Sequence, residues 1–386
     1  MVRAISRFAL FLGPMAYASI LSVSCQPFRL TMDEPRRPEW PVYLGGPART
    51  QSSEAQLSPP LKQLWRKRLA AGITQGVALR DGVLAVPTTR GEVFFLDTAR
   101  GKELGKIKAP KTSVTVVWPF PNRLVVACGT GRATLSCYDL QRGQRLWHYA
   151  AGPVDAEPLP VADTLFVIST YGRVLALAVE TGAVLWEAEV PSQVHSSPCA
   201  AGPYLIFGTD RGEVLALHRR DGRVAWRAGF RASVFATPVA GDTLVFVAST
   251  DSTFGALIAR TGELRWSRRE AGRIVQPAAV APSMPAVIYA ANDHSVSCAR
   301  YSDGVLLWRA RLNAPASTAP LILGSFVWIG GLDRRLYCLD LHSGRMVWSE
   351  KLRGIPRTLV PAKDALFVAT EDYHLYCLHS EGETNP

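Results

Sequence analysis

The chain has 386 residues, of which 48% are hydrophobic and 19% are charged, so it is long enough to bury a substantial core. Its formal net charge is +11, but the basic residues are scattered, with no basic run or aromatic-basic groove motif. This distribution favours a solvated basic surface and argues against a nucleic acid partner. Contact with anionic lipid or with an acidic partner stays open.

Residues 1–24 have the layout of an export signal, with a positively charged start, an apolar stretch over 8–20 and small residues before Cys25. The apolar stretch is short and broken by a Gly-Pro pair, which makes it a poor membrane-spanning helix. The junction resembles the lipobox of bacterial lipoproteins, although its leucine, Leu21, is one residue earlier than usual. We expect export with lipidation of Cys25; ordinary signal cleavage and a retained anchor are the alternatives.

Residues 25–60 are rich in proline, arginine and serine and show no strand alternation, which is typical of a tether. The sequence from Leu61 to Leu69 then reads as a single strand around Trp65, with nothing before it to complete a sheet. We therefore assign a tether and docking segment to 25–60, a folded domain to 61–380 and a tail to 381–386.

A tryptophan recurs every 39 to 42 residues along the folded domain, with a glycine four residues before it and alanine or cysteine ten residues before it. This period suits one four-stranded sheet per repeat. The small residue leaves room for the indole, and the glycine allows positive φ in the turn. Together with Trp65, the tryptophans expected to dock one sheet on the next are Trp147, Trp186, Trp226, Trp266, Trp308 and Trp348.

One repeat departs from this pattern, because Phe95 stands at the small-residue position and Gly105 at the tryptophan position. The large and small members of the pair are exchanged. Such an exchange conserves volume, as a close-packed interior requires. We therefore count this repeat with the others.

Eight small-residue positions predict eight blades: Phe95, Cys137, Ala176, Ala216, Ala256, Cys298, Cys338 and Cys377. The last of these is followed by no tryptophan, whereas Trp65 has no sheet of its own. We infer that Trp65 completes the last sheet, so that the ring closes and its edges are covered. The predicted fold is an all-β, eight-bladed β-propeller of four-stranded antiparallel blades.

The repeat also contains a motif of alanine, any residue, aspartate, two residues, threonine, glycine, three residues and tryptophan. It is closest in AVETGAVLW, DLQRGQRLW and DLHSGRMVW. This motif resembles the tryptophan-docking motif of the pyrroloquinoline-quinone (PQQ) repeat family, and the resemblance covers about residues 40–380. With its lipoprotein-type start and eight-bladed ring, the chain resembles the BamB-type outer-membrane assembly lipoproteins.

The BamB-type resemblance implies a non-catalytic scaffold that works as a monomer within a larger complex. It implies a position on the periplasmic face of the bacterial outer membrane, held by a lipid anchor, and partners among the outer-membrane barrel assembly proteins, contacted through loops at the insertase. A propeller that binds another envelope protein, a peptide or a glycan is the alternative from another functional class.

The resemblance also assigns positions along the chain. The segment EWPVYLGGPART resembles one that lies along the outside of many propellers of this type, so Trp40 and Tyr43 are expected to dock there. Loops that contact the partner in the family match residues 190–195 and 231–235. The candidate partner-binding residues are Val190, Ser192, Gln193, Ser233 and Phe235. Where the family has an arginine and an acidic pair, this chain has Gln193, Ser233 and Phe235.

The seven cysteines do not form an evident disulfide framework. Four of them face the tryptophans, where cysteine acts as a small hydrophobic residue. A bridge between Cys128 and Cys137 across one hairpin stays open, and Cys199 has no evident partner.

No motif for catalysis or metal binding was found. The histidines lack metal-ligand spacing, and His195 and Ser196 are strand neighbours that should point to opposite faces. The enzymatic alternative is a PQQ-dependent dehydrogenase, a class that holds its cofactor with an adjacent cysteine pair, a calcium site and a catalytic aspartate on long loops. This chain has no Cys-Cys dipeptide. We therefore expect no enzyme activity, no cofactor and no metal site.

Overall fold

The structure is a computed structural model that describes residues 28–30, 40–109, 114–131 and 133–380. Cys25 and the tail 381–386 lie outside these residues. All regular elements in the described residues are β-strands, arranged in eight sheets. Within the same residues, no helix has the length and apolar character needed to cross a membrane.

Two strands precede the first complete blade, namely β1 (Ser52–Ser53) and β2 (Leu61–Arg68). The first four blades follow in chain order. They are blade 1, with β3 (Ala78–Arg80), β4 (Val83–Pro87), β5 (Glu92–Asp97) and β6 (Glu103–Lys108); blade 2, with β7 (Val114–Phe120), β8 (Arg123–Cys128), β9 (Leu135–Asp139) and β10 (Gln144–Tyr149); blade 3, with β11 (Leu159–Val161), β12 (Thr164–Ile168), β13 (Arg173–Ala178) and β14 (Val184–Glu189); and blade 4, with β15 (Cys199–Ala201), β16 (Tyr204–Gly208), β17 (Glu213–His218) and β18 (Val224–Gly229).

The other four blades complete the ring. They are blade 5, with β19 (Val239–Ala240), β20 (Leu244–Ala248), β21 (Thr253–Ile258) and β22 (Leu264–Arg269); blade 6, with β23 (Ala279–Val280), β24 (Ala286–Ala290), β25 (Ser295–Arg300) and β26 (Leu306–Arg311); blade 7, with β27 (Leu321–Leu323), β28 (Phe326–Gly330), β29 (Arg335–Asp340) and β30 (Met346–Lys351); and blade 8, with β31 (Pro356–Pro361), β32 (Ala365–Thr370) and β33 (His374–Ser380). The prediction of an eight-bladed propeller is confirmed.

Burial along the strands follows from the stacking of blades. The two middle strands of each blade are covered on both faces, so they are continuously apolar, as in the buried centre of β13. The outermost strands alternate between exposed and partly buried residues, as in β14, because only one face meets a neighbour. The first strand of each blade is innermost and borders the axis of the ring.

Six of the docking tryptophans contact two blades. Trp186 lies opposite Ala176 in its own blade. Its indole donates a hydrogen bond to the Arg219 carbonyl of the next blade at 2.8 Å. It also covers Gly222, where an added Cβ atom would lie 2.5 Å from the ring. This glycine has a φ of +72°, so it both forms the turn and leaves room for the tryptophan of the preceding blade.

The indole-to-carbonyl hydrogen bond recurs around the ring, with lengths of 2.8–3.0 Å. It is made by Trp65, Trp147, Trp226, Trp266 and Trp308. Trp348 lies opposite Cys338 and packs edge-on against Trp328, with ring centroids 5.8 Å apart. The aspartates of the motif accept hydrogen bonds from the turn backbone, as Asp340 does from the Ser343 amide at 2.8 Å.

The two ends of the domain close the ring as predicted. Strand β2 pairs antiparallel with β33, and Trp65 lies opposite Cys377. The Trp65 indole then reaches blade 1, where it donates to the Thr98 carbonyl at 2.8 Å. Blade 8 is therefore built from both ends of the chain.

The exchanged pair in blade 1 has a third member. Phe95 does lie opposite Gly105, but Gly105 alone does not account for the space that a tryptophan fills elsewhere. The ring of Phe28 takes that space and stacks on Phe95, with centroids 4.7 Å apart. An added Cβ atom on Gly105 would lie 2.0 Å from Phe28. A residue of the segment assigned as tether thus completes the packing.

The segment over residues 40–53 takes a different path from the one expected, because it lies along the innermost strands and not on the outside of the ring. It exchanges backbone hydrogen bonds with innermost strands of six blades: through Leu79 in β3, Trp118 in β7, Ala200 in β15, Ala240 in β19, Val280 in β23 and Ile322 in β27. Innermost strands leave one edge unpaired, and this segment supplies partners for that edge. Residues 40–53 therefore follow the inner edge of the ring.

Cys128 and Cys137 are both buried thiols, so the bridge left open from the sequence is not formed. In the hairpin of β8 and β9, Cys137 lies opposite Val125, and Cys128 pairs with Val114 of β7. Burial raises the pKa of the Cys137 thiol to about 12. The thiol therefore stays protonated and serves packing.

Candidate functional site at the mouth of the central channel

The two faces of the ring differ in what they present. We call the face formed by the loops that enter the innermost strands, together with the turns between second and third strands, the mouth face. Residues 40–53 pair with the innermost strands beyond these loops, and Tyr43 of this segment lines the channel. The channel is therefore open at the mouth face and floored by this segment.

A cavity of about 320 Å³ occupies the channel at the mouth face. Loops entering the innermost strands of blades 1 to 6 line it, and Tyr43 lies at its base. Four of the lining residues hold the same place in their repeats, directly before a proline. They are Glu157, Ser197, Thr237 and Gln276. The repeat therefore places polar side chains around the axis, and one of them is acidic.

Arg49 anchors the floor of the channel. Its side chain is fully buried and its φ is +60°. The guanidinium donates to the backbone carbonyls of Glu157 and Pro158 at 3.2 Å and to that of Pro198 at 3.1 Å. It also donates to the Tyr43 carbonyl. Burial lowers the pKa of Arg49, and the nearby Glu157 and Tyr43 side chains oppose that shift. The guanidinium thus ties residues 40–53 to blades 3 and 4.

Glu157 lies beside this guanidinium but forms no ion pair with it among the described residues. Its side chain is only 6% exposed, and its Oε2 atom has no hydrogen-bond partner within the described chain. Burial raises the pKa of Glu157 to about 7, while the charge of Arg49 and the Thr115 hydroxyl partly oppose the shift. The carboxyl group is therefore buried, incompletely satisfied and titratable near neutral pH.

The rim of the cavity carries a histidine between two carboxylates. His195 Nδ1 is 3.5 Å from Asp155 Oδ2, and His195 Nε2 is 3.5 Å from Asp210 Oδ2. The ring also packs edge-on against Phe235, with centroids 6.0 Å apart. Although the chain carries a formal net charge of +11, the mouth of its channel is acidic.

The five candidate partner-binding residues all lie on loops of the mouth face. Gln193 and Phe235 expose their side chains, and Phe235 lies on the cavity rim. Val190 and Ser192 are buried, and their carbonyls lie against Gly172. The Ser233 hydroxyl donates to the Asp210 carbonyl at 2.6 Å. The structure thus separates two side chains available to a partner from three that shape the loops.

Exposed apolar side chains occur on the same face beyond the predicted loops. They include Tyr171, which is 70% exposed, together with Val275, Leu332 and Tyr373. Tyr171, Leu332 and Tyr373 occupy turns between second and third strands, so the repeat would have located them. Large apolar side chains at exposed turns are the kind of residue that marks an interaction surface.

His195 and Ser196, the neighbouring pair considered for catalysis, do not face each other. His195 is exposed, whereas the Ser196 side chain is fully buried and its hydroxyl bonds the backbone, so the two point to opposite faces. Within the described part of the chain, no group of three or more His, Cys, Asp or Glu side chains could hold a metal ion.

Comparison with known families finds one match that covers most of the chain. The sequence profile of the family described as outer membrane protein assembly factor BamB matches residues 57–200 and 192–384. An outer membrane protein assembly factor BamB from Vibrio cholerae is 24% identical over 144 residues, which is 33% of this chain and 37% of that protein. The alignment therefore spans little more than a third of that relative.

Comparison of structures supports the fold. BamB from Moraxella catarrhalis has a TM-score of 0.71 and 19% identity, over 85% of this chain and all of that chain (100%). A europium-containing methanol dehydrogenase has a TM-score of 0.75 and 13% identity, over 89% of this chain and 98% of that one. At these identities the likeness shows a shared propeller fold and leaves activity open.

Proposed function

Because this chain belongs to the family described as outer membrane protein assembly factor BamB, we propose that it is a non-catalytic scaffold lipoprotein that assists outer-membrane β-barrel assembly. The observation that carries the proposal is the family match, which extends from residue 57 to residue 384 with a short overlap between its two parts. In this proposal the protein lies on the periplasmic face of the bacterial outer membrane, anchored through a lipidated Cys25.

We propose the mouth face as the surface that docks on the barrel insertase. Phe235 is 42% exposed beside the polar Gln193 and the acidic rim, and Tyr171 extends the apolar surface. Aromatic anchors surrounded by polar groups are typical of the energetic centres of protein interfaces. Val190, Ser192 and Ser233 would contribute by holding the loops in place, since their own polar and apolar atoms face the protein.

The experiment is affinity capture from solubilised membranes with a tagged chain, under conditions that preserve the insertase complex. We expect the insertase to be recovered with the unaltered protein and to be reduced at least fivefold with the double variant Gln193→Ala, Phe235→Ala. Truncating anchor residues of this kind typically costs on the order of 1–2 kcal/mol each.

Leu264→Ala is the matched control, because Leu264 is 58% exposed on the outermost strand of blade 5, away from the mouth face. It should leave recovery unchanged. Absence of the insertase from the capture with unaltered protein would refute the proposed function. In that case recovery of another envelope protein, a peptide or a glycan would support the alternative class.

The likeness to a methanol dehydrogenase does not extend to the residues that such chemistry needs. The sequence has no Cys-Cys dipeptide, and the described residues bring no group of three potential metal ligands together. The residues present therefore do not fit a PQQ and metal centre, and a scaffold is the function that the site supports best.

A further inference from the structure

We propose that the cavity at the mouth of the channel binds a primary alkylammonium group, with the Glu157 carboxylate as its counter-ion. A lysine side chain inserted by another protein and a free small amine share this chemistry. The inference rests on the cavity itself and holds whether or not the chain docks on the barrel insertase.

The first observation is the unmet acceptor. Glu157 lines the cavity, and its Oε2 atom is buried and has no hydrogen-bond partner among the described residues. A buried acceptor without a donor costs about 1–3 kcal/mol, and more when it is charged. A ligand with N–H groups would remove that cost, whereas an apolar ligand would leave it in place.

The second observation is the charge around the cavity. Asp155 lies on its rim and Glu157 near its floor, and His195 is the one lining residue in the described cavity wall that can carry positive charge. The guanidinium of Arg49 lies behind the floor and already donates to four backbone carbonyls. The cavity therefore presents carboxylate oxygens to an incoming group, which favours a cation and disfavours an anion.

The third observation is the kind and size of the site. Ser197, Thr237 and Gln276 place hydroxyl and amide groups on the wall of the cavity that Glu157 also lines. A compact ammonium has three donors and can bond a carboxylate and neutral oxygens together. A volume of about 320 Å³ is at the small end of ligand sites, which fits one slender alkyl chain.

Ligand binding at this site should depend on pH, because Glu157 can gain or lose a proton. The groups that face Glu157 are Arg49 and Tyr43 from the floor, His195 from the blade 4 loop, Asp155 from the same loop as Glu157, and Thr115 from β7. Burial raises the pKa of Glu157 to about 7, so part of the carboxyl is protonated at neutral pH. A cation selects the ionised form, so its binding releases a proton and strengthens as pH rises.

The test is calorimetric titration of the full folded chain with n-butylammonium at pH 8, with n-butanol as the neutral ligand of the same shape. We expect binding of the amine and none of the alcohol, and an affinity about tenfold lower at pH 6, because the carboxylate is then mostly protonated. This pH dependence is measured on the unaltered protein and does not depend on the folding of a variant.

Glu157→Gln should lower the affinity for n-butylammonium at least tenfold, whereas Glu189→Gln, an exposed residue of the same blade, should leave it within twofold. A lysine-containing peptide tested beside its Nε-acetylated form distinguishes a protein ligand from a free amine. If the amine does not bind at pH 8, binds no better than butanol, or binds Glu157→Gln equally well, the cavity holds water only and the proposal is overturned.

Discussion

The contacts between blades and the contacts along the axis differ in how often they occur. Between blades, the same arrangement of indole, glycine and carbonyl is repeated around the ring. Along the axis, Arg49 lies outside the repeats, and Glu157 is the acidic member of the four cavity residues that precede a proline. The repeated contacts hold the blades together, whereas Arg49 and Glu157 are particular to the channel of this propeller. Variants of each kind should therefore behave differently.

The largest effect is expected at the point where the repeated contact closes the ring. Trp65→Ala removes the hydrogen bond to Thr98, the packing on Gly101 and the contact with Phe367, whose centroid is 5.7 Å away. We expect a loss of about 3–5 kcal/mol in the free energy of unfolding, measured by denaturant titration with far-ultraviolet circular dichroism.

Leu64→Ala on the same strand is the control, because Leu64 is 54% exposed. Its effect should stay within about 0.5 kcal/mol. A loss below about 1 kcal/mol for Trp65→Ala would argue against an energetic role for ring closure.

Next in size is the axis contact of Arg49. Arg49→Met keeps most of the side-chain length but leaves four carbonyls without their donor and Glu157 without a nearby positive charge. We expect a loss of about 3 kcal/mol in the free energy of unfolding, with a greater loss at pH 8 than at pH 6, because the unbalanced carboxylate is ionised at the higher pH.

Arg223→Met controls for the loss of a positive charge, since the Arg223 side chain is 85% exposed. It should change stability little at either pH. Equal losses at pH 6 and pH 8 for Arg49→Met would show that the guanidinium acts through the carbonyls alone.

The third expected effect, that of replacing Glu157, is an increase in stability. The pKa of Glu157 is about 7 in the folded protein and lies above its ordinary value of 4.5, so the folded state binds more protons between these values. Stability therefore falls as pH rises from about 4.5 to about 7. Glu157→Gln should raise the free energy of unfolding by up to about 3 kcal/mol at pH 8 and by little at pH 4.

The measurement is the midpoint of thermal unfolding as a function of pH for the unaltered protein, Glu157→Gln and Glu189→Gln. The first two curves should diverge as the pH rises from about 4.5 to about 7, while Glu189→Gln should follow the unaltered protein. Parallel curves for all three proteins would place the titrating group elsewhere.

The ring could be predicted from the sequence because the same spacing of residues recurs in most of the repeats. The spacing of tryptophan, glycine and small residue predicted eight blades, and the mismatch between the two ends predicted closure by Trp65. The glycine was assigned only to its own turn. Its second contact, with the tryptophan of the preceding blade, depends on how blades stack, which the spacing within one repeat does not specify.

The axis could not be predicted in the same way. Residues 40–53 were expected on the outside, because a resemblance gives the presence of a segment but not its path in this ring. Phe28 fills the space beside Phe95 and Gly105, and that contact cannot be read from the spacing of the repeat. The sequence did contain one indication of Glu157. It precedes a proline at a position that is polar in neighbouring repeats, and it is acidic where those residues are neutral.

Ring closure also bears on the order in which the protein can fold. The Ser58 amide bonds the Ser380 hydroxyl, although the two residues are 322 positions apart in sequence, and residues 40–53 meet the innermost strands of successive blades. Contacts this distant are slow to form, because a long loop must be closed first. Residues 40–53 are synthesised before any of the blades with which they pair. Strand β2 can pair with β33 only after the last hairpin has been made. The ring can therefore close only after nearly all of the folded domain has been synthesised.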